Sequence, residues 1–318
     1  MRRFRVDLEA GEVAGIAFGD PVRPLEILFL HANGFNAITY QSLLEPLGAQ
    51  AHVGAIDLRG HGRTTLPANP RALKSWSRHR EDVVAVLEKA SGGGAILGGH
   101  SMGATVALLT AARRPDLVGG LVLVDPVLLA PRMYRFAHIP FINRVLRSNA
   151  MSRAAKARRS DFDSPQHAME SFQGRGAFQT WRPPFLEDYV VDGVLRRDDG
   201  GFHLACAPDW EAACFSAQRN RPWGAIRKLK KKRIPIILLQ AEKSSTATDD
   251  TDERVHAIRP DAAVTRVPGT THFIPMERPY VVRDALRLLH EAHSEGAHEI
   301  DYVGEVRRTI NDSIGRMD

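Results

Sequence analysis

The chain has 318 residues, 43% of them hydrophobic and 25% charged, and a net charge of +6. That length supports one large domain, or one domain with an insertion, around a sizeable core, and the composition is that of an ordinary globular protein. No stretch approaches the ~18 uncharged apolar residues of a membrane span, and the basic opening MRRFRVDLEAGE lacks the apolar region of a secretory signal. The two cysteines, Cys206 and Cys214, carry no metal-site spacing, so reduced thiols in a cytoplasmic protein are expected.

In chain order, residues 3–19 predict two edge strands joined at Ala10–Gly11. LEILFLHANG (25–34) is a buried strand running into a glycine loop, and ITYQSLLEPLGA (38–49) predicts a short helix. VGAIDLRGHG (53–62) is the next strand and its turn. SWSRHREDVVAVLEKAS (75–91) is amphipathic, with Val83, Val84, Val86 and Leu87 gathered on one side. GAILGGHS, MGATVALLTAARRP and GGLVLVDP then read as strand, helix, strand. Alternation of this kind indicates βαβ units and a parallel sheet. The rhythm breaks from about Val127 to Arg221, which suggests an inserted cap between core segments 1–126 and 222–318. It resumes with IPIILLQ as the seventh strand, a helix near DERVHAI, the strand AVTRVPG, and a long helix from Glu277. The tail after Gly296 has a helical look.

Gly99-His100-Ser101-Met102-Gly103 is a G-x-S-x-G lying between a predicted buried strand and a predicted helix. That context gives the motif meaning. A tight strand-to-helix turn strains its middle residue and lifts the serine hydroxyl to a helix N-terminus, where free N–H groups favour a developing anion. The bland alternative is a glycine-rich turn without chemistry.

At this point the chain resembles the α/β-hydrolase family. GHSMG, LHANGF after the third strand, DLRGHGRT after the fourth, LVLVDP after the sixth and GTTHFIPMERP before the last helix carry the resemblance, in order and over nearly the whole chain. It implies a doubly wound, mostly parallel sheet with a helical cap after strand six, and a site at the carboxyl ends of the strands. It implies Ser101 as nucleophile and His272 as general base. His100 and His61 are expected to support the structure, and His31 to brace the loop that follows it. Of the two N–H donors that an oxyanion needs, one is expected from Met102. The other is expected from Phe35, with Gly34 and Asn36 left open, and Asn33 could add a side-chain donor.

The family often carries an aspartate after strand seven. Here the line is Glu242-Lys243-Ser244-Ser245, so that position is vacant. Some relatives carry the acid after strand six, which makes Asp125 the leading candidate. Asp249, Asp250, Glu242, or no acid at all remain alternatives.

A serine with a histidine base makes an acyl-enzyme, so carboxylic ester hydrolysis is the expected reaction. Other serine chemistry on the same fold, such as C–C bond hydrolysis, and a non-catalytic ligand-binding role are the competing classes. Phe136, Phe141, Ile142, Phe178, Trp181, Phe185 and Trp210 offer an apolar lining for an acyl or aromatic ester, with Phe178 and Trp181 as substrate-binding candidates. No cofactor or metal motif is found; SGGGA near Ser91 lacks the strand and spacing of a dinucleotide loop. Residues 131–160 hold eight basic residues and no acid, and RKLKKKR (227–233) is a second cluster. Both could meet acidic substrates or an anionic lipid surface, or form a solvated face. Nothing resembles a nucleic-acid module.

Overall fold

A computed structural model describes residues 1–139, 149–232 and 234–296, with 304, 305, 307, 308, 311 and 312. Strands β1 (Arg2–Leu8) and β2 (Gly11–Phe18) form the antiparallel pair expected around Ala10–Gly11. They are followed by β3 (Ile27–Leu30), β4 (Val53–Ile56), β5 (Ala95–His100), β6 (Val118–Val124), β7 (Ile236–Ala241) and β8 (Ala263–Val267). All eight join one sheet in the order β1-β2-β4-β3-β5-β6-β7-β8. Strand β4 is antiparallel to β2, and every pairing from β4 to β8 is parallel. This is the doubly wound, mostly parallel sheet that the sequence predicts.

The strands read as unbroken apolar runs because both faces of the sheet are covered. Successive side chains point to opposite faces. Leu28, Leu30, Leu97, Leu121, Leu123 and Leu238 enter one core cluster, while Ile27, Phe29, Ile96, Val122, Val124 and Leu239 enter the other. Each such side chain gains about 1.5–3 kcal/mol on full burial, so both faces must be roofed by helices. Helices α1 (Ser77–Ala90) and α2 (Met102–Arg113) roof the first face through Val83, Val86, Leu87, Val106 and Leu108.

Between β6 and β7 the chain leaves the sheet. It forms α3 (Pro131–Ala137), α4 (Ala150–Lys156), α5 (Pro165–Phe172), α6 (Phe185–Gly193), α7 (Pro208–Ser216) and α8 (Pro222–Leu229). Three short strands, Asp161–Phe162, Phe202–Leu204 and Val194–Arg196, pair antiparallel within it. Helix α8 returns to the core, where Ile226 and Leu229 pack into the first cluster. Helix α9 (Thr251–Ile258) links β7 to β8, and α10 (Pro279–Ser294) roofs the second face with Val281, Ala285, Leu286 and Leu289.

Two helix predictions need correction. Residues 38–49 do not form one helix but three successive single turns, Ala37–Tyr40, Gln41–Leu44 and Glu45–Ala49. Pro46 has no N–H to donate and its ring obstructs a continuing helix. The last helix starts at Pro279 rather than Glu277, because proline suits the first helical position and Ile274–Glu277 makes a separate turn. Phe141, Ile142, Arg144, Arg147, Arg233 and most of the tail after Gly296 lie outside the described residues. No helix among the described residues is long and apolar enough to cross a membrane.

Candidate active site

Ser101 sits between the last residue of β5 and the first of α2, with φ +57° and ψ −116°. A non-glycine residue at such a φ is strained. The strain is held by Ser101 N–H to Val124 O (2.9 Å) and by Ser101 O accepting from Thr105 N–H (3.1 Å). The flanking glycines make the turn possible: a Cβ on Gly103 would lie 2.2 Å from Leu30 O, and one on Gly99 2.6 Å from Ala104 N. Met102, as the first helical residue, has an N–H with no acceptor inside the helix.

His272 lies in the loop after β8, with Nε2 2.9 Å from Ser101 Oγ and Nδ1 2.6 Å from Asp125 Oδ2. Thr271 fixes the loop, giving its N–H and Oγ1–H to the Glu277 carboxylate at 2.7 and 2.5 Å. Asp125 is fully buried at the end of β6, at φ +41°, with its N–H on Leu239 O (2.7 Å). Its Oδ1 accepts from Ala241 N–H (2.9 Å) and Ser245 Oγ–H (2.6 Å), and its Oδ2 accepts from Thr246 N–H (3.0 Å). Burial opposes the charge, but the hydrogen bond and charge of His272, with Ala241 and Ser245, outweigh it. The carboxyl is held below its usual pKa. An ionised carboxylate only accepts, so His272 carries its proton on Nδ1 and leaves Nε2 free to accept from Ser101.

The structure therefore brings Ser101, His272 and Asp125 together, and the serine after β7 has a use: Ser245 donates to the acid that stands one strand away. The other carboxylates point elsewhere. Asp249 is fully exposed, 3.8 Å from Arg266; Asp250 pairs with Arg254 (2.6 Å); Glu242 accepts from Gly269 N–H (3.0 Å).

The HANGF loop departs from expectation. Phe35 N–H closes a turn onto Ala32 O (3.1 Å), and Gly34 N–H donates to His61 Nε2 (3.1 Å), so neither is turned to an oxyanion. The Asn33 side chain donates to Glu211 O (3.0 Å) rather than into the cavity. The backbone N–H of Asn33 meets no acceptor among the described hydrogen bonds, and Asn33 lines the cavity beside Ser101. His31 braces the loop by accepting Leu58 N–H (2.8 Å) and donating to Ala32 O (2.7 Å).

His100 does more than pack. Ala32 N–H donates to Tyr40 Oη (3.1 Å), Tyr40 O–H to His100 Nδ1 (2.8 Å), and His100 Nε2–H to His272 O (2.8 Å). This relay ties the HANGF loop to the loop of the base. It requires a neutral imidazole, and burial lowers the His100 pKa to about 3.

A cavity of about 610 Å³ opens over Ser101 and His272. Phe35, Phe162, Phe172, Phe178, Phe215 and Phe273 supply its rings. Phe178 is on the wall. Trp181 is not: it stands behind the wall, edge-on to Phe35 at 5.0 Å and to Phe178 at 4.8 Å. Phe136 is exposed and Phe185 is buried outside the cavity. Trp210 is buried against His79, with Nε1–H on Arg59 O (2.9 Å). No motif in the sequence marks Phe162, Phe172, Phe215 or Phe273 as lining residues. Cys206 and Cys214 are buried free thiols.

A model described as the alpha/beta hydrolase family matches residues 27–285. A 2-(acetamidomethylene)succinate hydrolase of Mesorhizobium japonicum is 23% identical over 82% of this chain and 86% of its own. An esterase of Mycobacterium tuberculosis is 34% identical over 37% of this chain and 38% of its own. The crystal structure of an E-2-(acetamidomethylene)succinate hydrolase superposes with a TM-score of 0.74 at 22% identity, covering 92% of this chain and 99% of that one.

Proposed function

The chain belongs to the alpha/beta hydrolase family, and on that premise we propose that it hydrolyses carboxylic esters through an acyl-enzyme on Ser101. The observation that carries the proposal is His272 held between Ser101 Oγ at 2.9 Å and the buried Asp125 carboxylate at 2.6 Å. Similarity to a named hydrolase and a named esterase supports it.

The steps follow from those contacts. Ser101 Oγ attacks the ester carbonyl carbon as its proton passes to His272 Nε2. Asp125, kept ionised by the donors around it, stabilises the imidazolium and holds the productive tautomer. The carbonyl oxygen becomes an oxyanion that accepts from the backbone N–H groups of Met102 and Asn33. The tetrahedral intermediate collapses, the C–O bond to the alcohol breaks, and His272 returns the proton to the departing oxygen. Water then repeats the sequence on the acyl-enzyme, releasing the acid and restoring Ser101. Residues 127–221 act as the cap, and their rings at Phe162, Phe172, Phe178 and Phe215 fit an apolar acyl chain or aromatic group. The case for a non-catalytic binding protein rested on a missing acid, and it loses support with Asp125 at His272.

A serine-directed fluorophosphonate tests the proposal. It should label the wild type and fail to label Ser101→Ala. Labelling that persists in the variant would defeat the assignment.

A further inference from the structure

The cavity carries charge that the ester mechanism leaves unused. Its lining includes three arginines, Arg158, Arg159 and Arg175, against one carboxylate, Glu211. Arg158 is already answered: its Nη1 donates to Glu211 Oε2 at 2.6 Å and its Nη2 to Tyr189 Oη at 3.1 Å. Arg159 is steadied without being neutralised. Its Nε donates to Asp161 O (2.9 Å), its Nη1 lies 3.2 Å from His167 Nε2, and its guanidinium lies 5.4 Å from the Phe162 ring centre. None of these partners is an anion. A guanidinium has five N–H donors, so most of them stay free.

Arg175 is the clearer case. Among the described residues no hydrogen bond or ion pair reaches its guanidinium. Its backbone, by contrast, is pinned: its N–H donates to Phe172 O and its carbonyl accepts from Phe178 N–H, both at 3.0 Å. Gly174 and Gly176 flank it at φ +67° and +54°, which makes the turn sharp. The turn thus joins two ring walls of the cavity, Phe172 and Phe178, and sets an unpaired cation at their edge. A guanidinium fork matches a carboxylate with two parallel hydrogen bonds. Arg175 is exposed, so this contact would form at the solvent-facing edge of the cavity and be screened by salt.

We infer that the cavity selects esters carrying a second, free carboxylate, which Arg175 recognises with support from Arg159. The inference deepens the esterase proposal and rests on it for the reaction. Arg175 and Arg159 act here on specificity, and neither takes part in bond breaking.

The test compares p-nitrophenyl valerate with the p-nitrophenyl monoester of glutaric acid. Arg175→Gln should reduce the kcat/KM preference for the carboxylated ester about tenfold, equivalent to about 1.4 kcal/mol, with the change in KM. Arg175→Lys should recover part of it. Arg135→Gln removes the same charge from an exposed site outside the cavity and should leave the preference as it was. An equal loss in Arg135→Gln, or no preference in the wild type, overturns the inference. Competition by glutarate supports a carboxylate site, whereas competition by inorganic phosphate alone overturns it. If neither ester is turned over, calorimetry separates the claims. Glutarate binding that is lost in Arg175→Gln keeps the anion site while the esterase proposal falls, and absence of glutarate binding to the wild type removes the site.

Discussion

Asp125→Asn removes one charge and almost no volume, so it isolates what the carboxylate does. Donors converge on the Asp125 carboxylate from both sides: Ala241 N–H and Ser245 Oγ–H on Oδ1, and Thr246 N–H, Thr246 Oγ1–H and His272 Nδ1–H on Oδ2. An asparagine amide can satisfy only one side. With its oxygen kept toward Ala241 and Ser245, its NH2 faces Thr246 N–H and His272. The ring then turns to the other tautomer, Nδ1 accepts, and Nε2 carries the proton it should receive from Ser101. Loss of the orienting carboxylate in a serine protease triad reduces kcat about 10⁴-fold, a barrier increase of about 5.4 kcal/mol. The same drop is expected here. One backbone N–H left facing an NH2 group costs about 1–3 kcal/mol of stability, so the variant should still fold. Steady-state hydrolysis of a p-nitrophenyl ester, with a circular dichroism melt for the fold, measures both. Asp250→Asn, which removes an exposed partner of Arg254, is the control. A folded Asp125→Asn enzyme within tenfold of wild-type kcat would show that Asp125 does not orient His272 for catalysis.

Ser245→Ala deletes the charge-assisted bond to Asp125 and the acceptor of Ala247 N–H, and should destabilise by at least about 1.5–3 kcal/mol; an unchanged melting temperature would mean that neither bond contributes. Gly103→Ala would put its Cβ 2.2 Å from Leu30 O, so it should abolish turnover and lower the melting temperature, and an active, stable variant would contradict the close approach. His79 is buried, neither ring nitrogen has a partner among the described residues, and burial lowers its pKa to about 3. The unfolded chain binds a proton there below about pH 6.5 while the folded chain does not, so stability falls as pH drops from 6.5 toward 3. His79→Phe should therefore flatten the decline in melting temperature over that range, and parallel curves would refute it.

Much of the site was legible because the sequence states it locally. GHSMG is meaningful once an apolar run precedes it and a helical pattern follows, and both are short-range signals. Asp125 was found through a vacancy, since the serines after β7 made the end of β6 the next place to look. What the sequence did not disclose depends on where backbone groups go after folding. Phe35 N–H is spent on Ala32 and Gly34 N–H on His61, and His61 comes from a different strand's turn. The relay through Tyr40 and His100 likewise joins residues sixty positions apart and then 172 apart. The lining of the cavity was the least legible. Trp181 has the chemistry of a wall residue but stands behind Phe35 and Phe178, while Phe172 and Arg175 sit at a turn whose glycines announce a bend without saying what it faces.

On the proposed route the ester's acyl group passes through Ser101. Rapid acid quench during turnover of a p-nitrophenyl ester, followed by tryptic digestion and mass spectrometry, traps that intermediate. The peptide spanning residues 90–113 should carry the acyl mass, and fragmentation should assign it to Ser101 rather than to Ser91, Thr105 or Thr110. An acyl group on another residue, or full turnover by Ser101→Ala, would rule out Ser101 as the nucleophile.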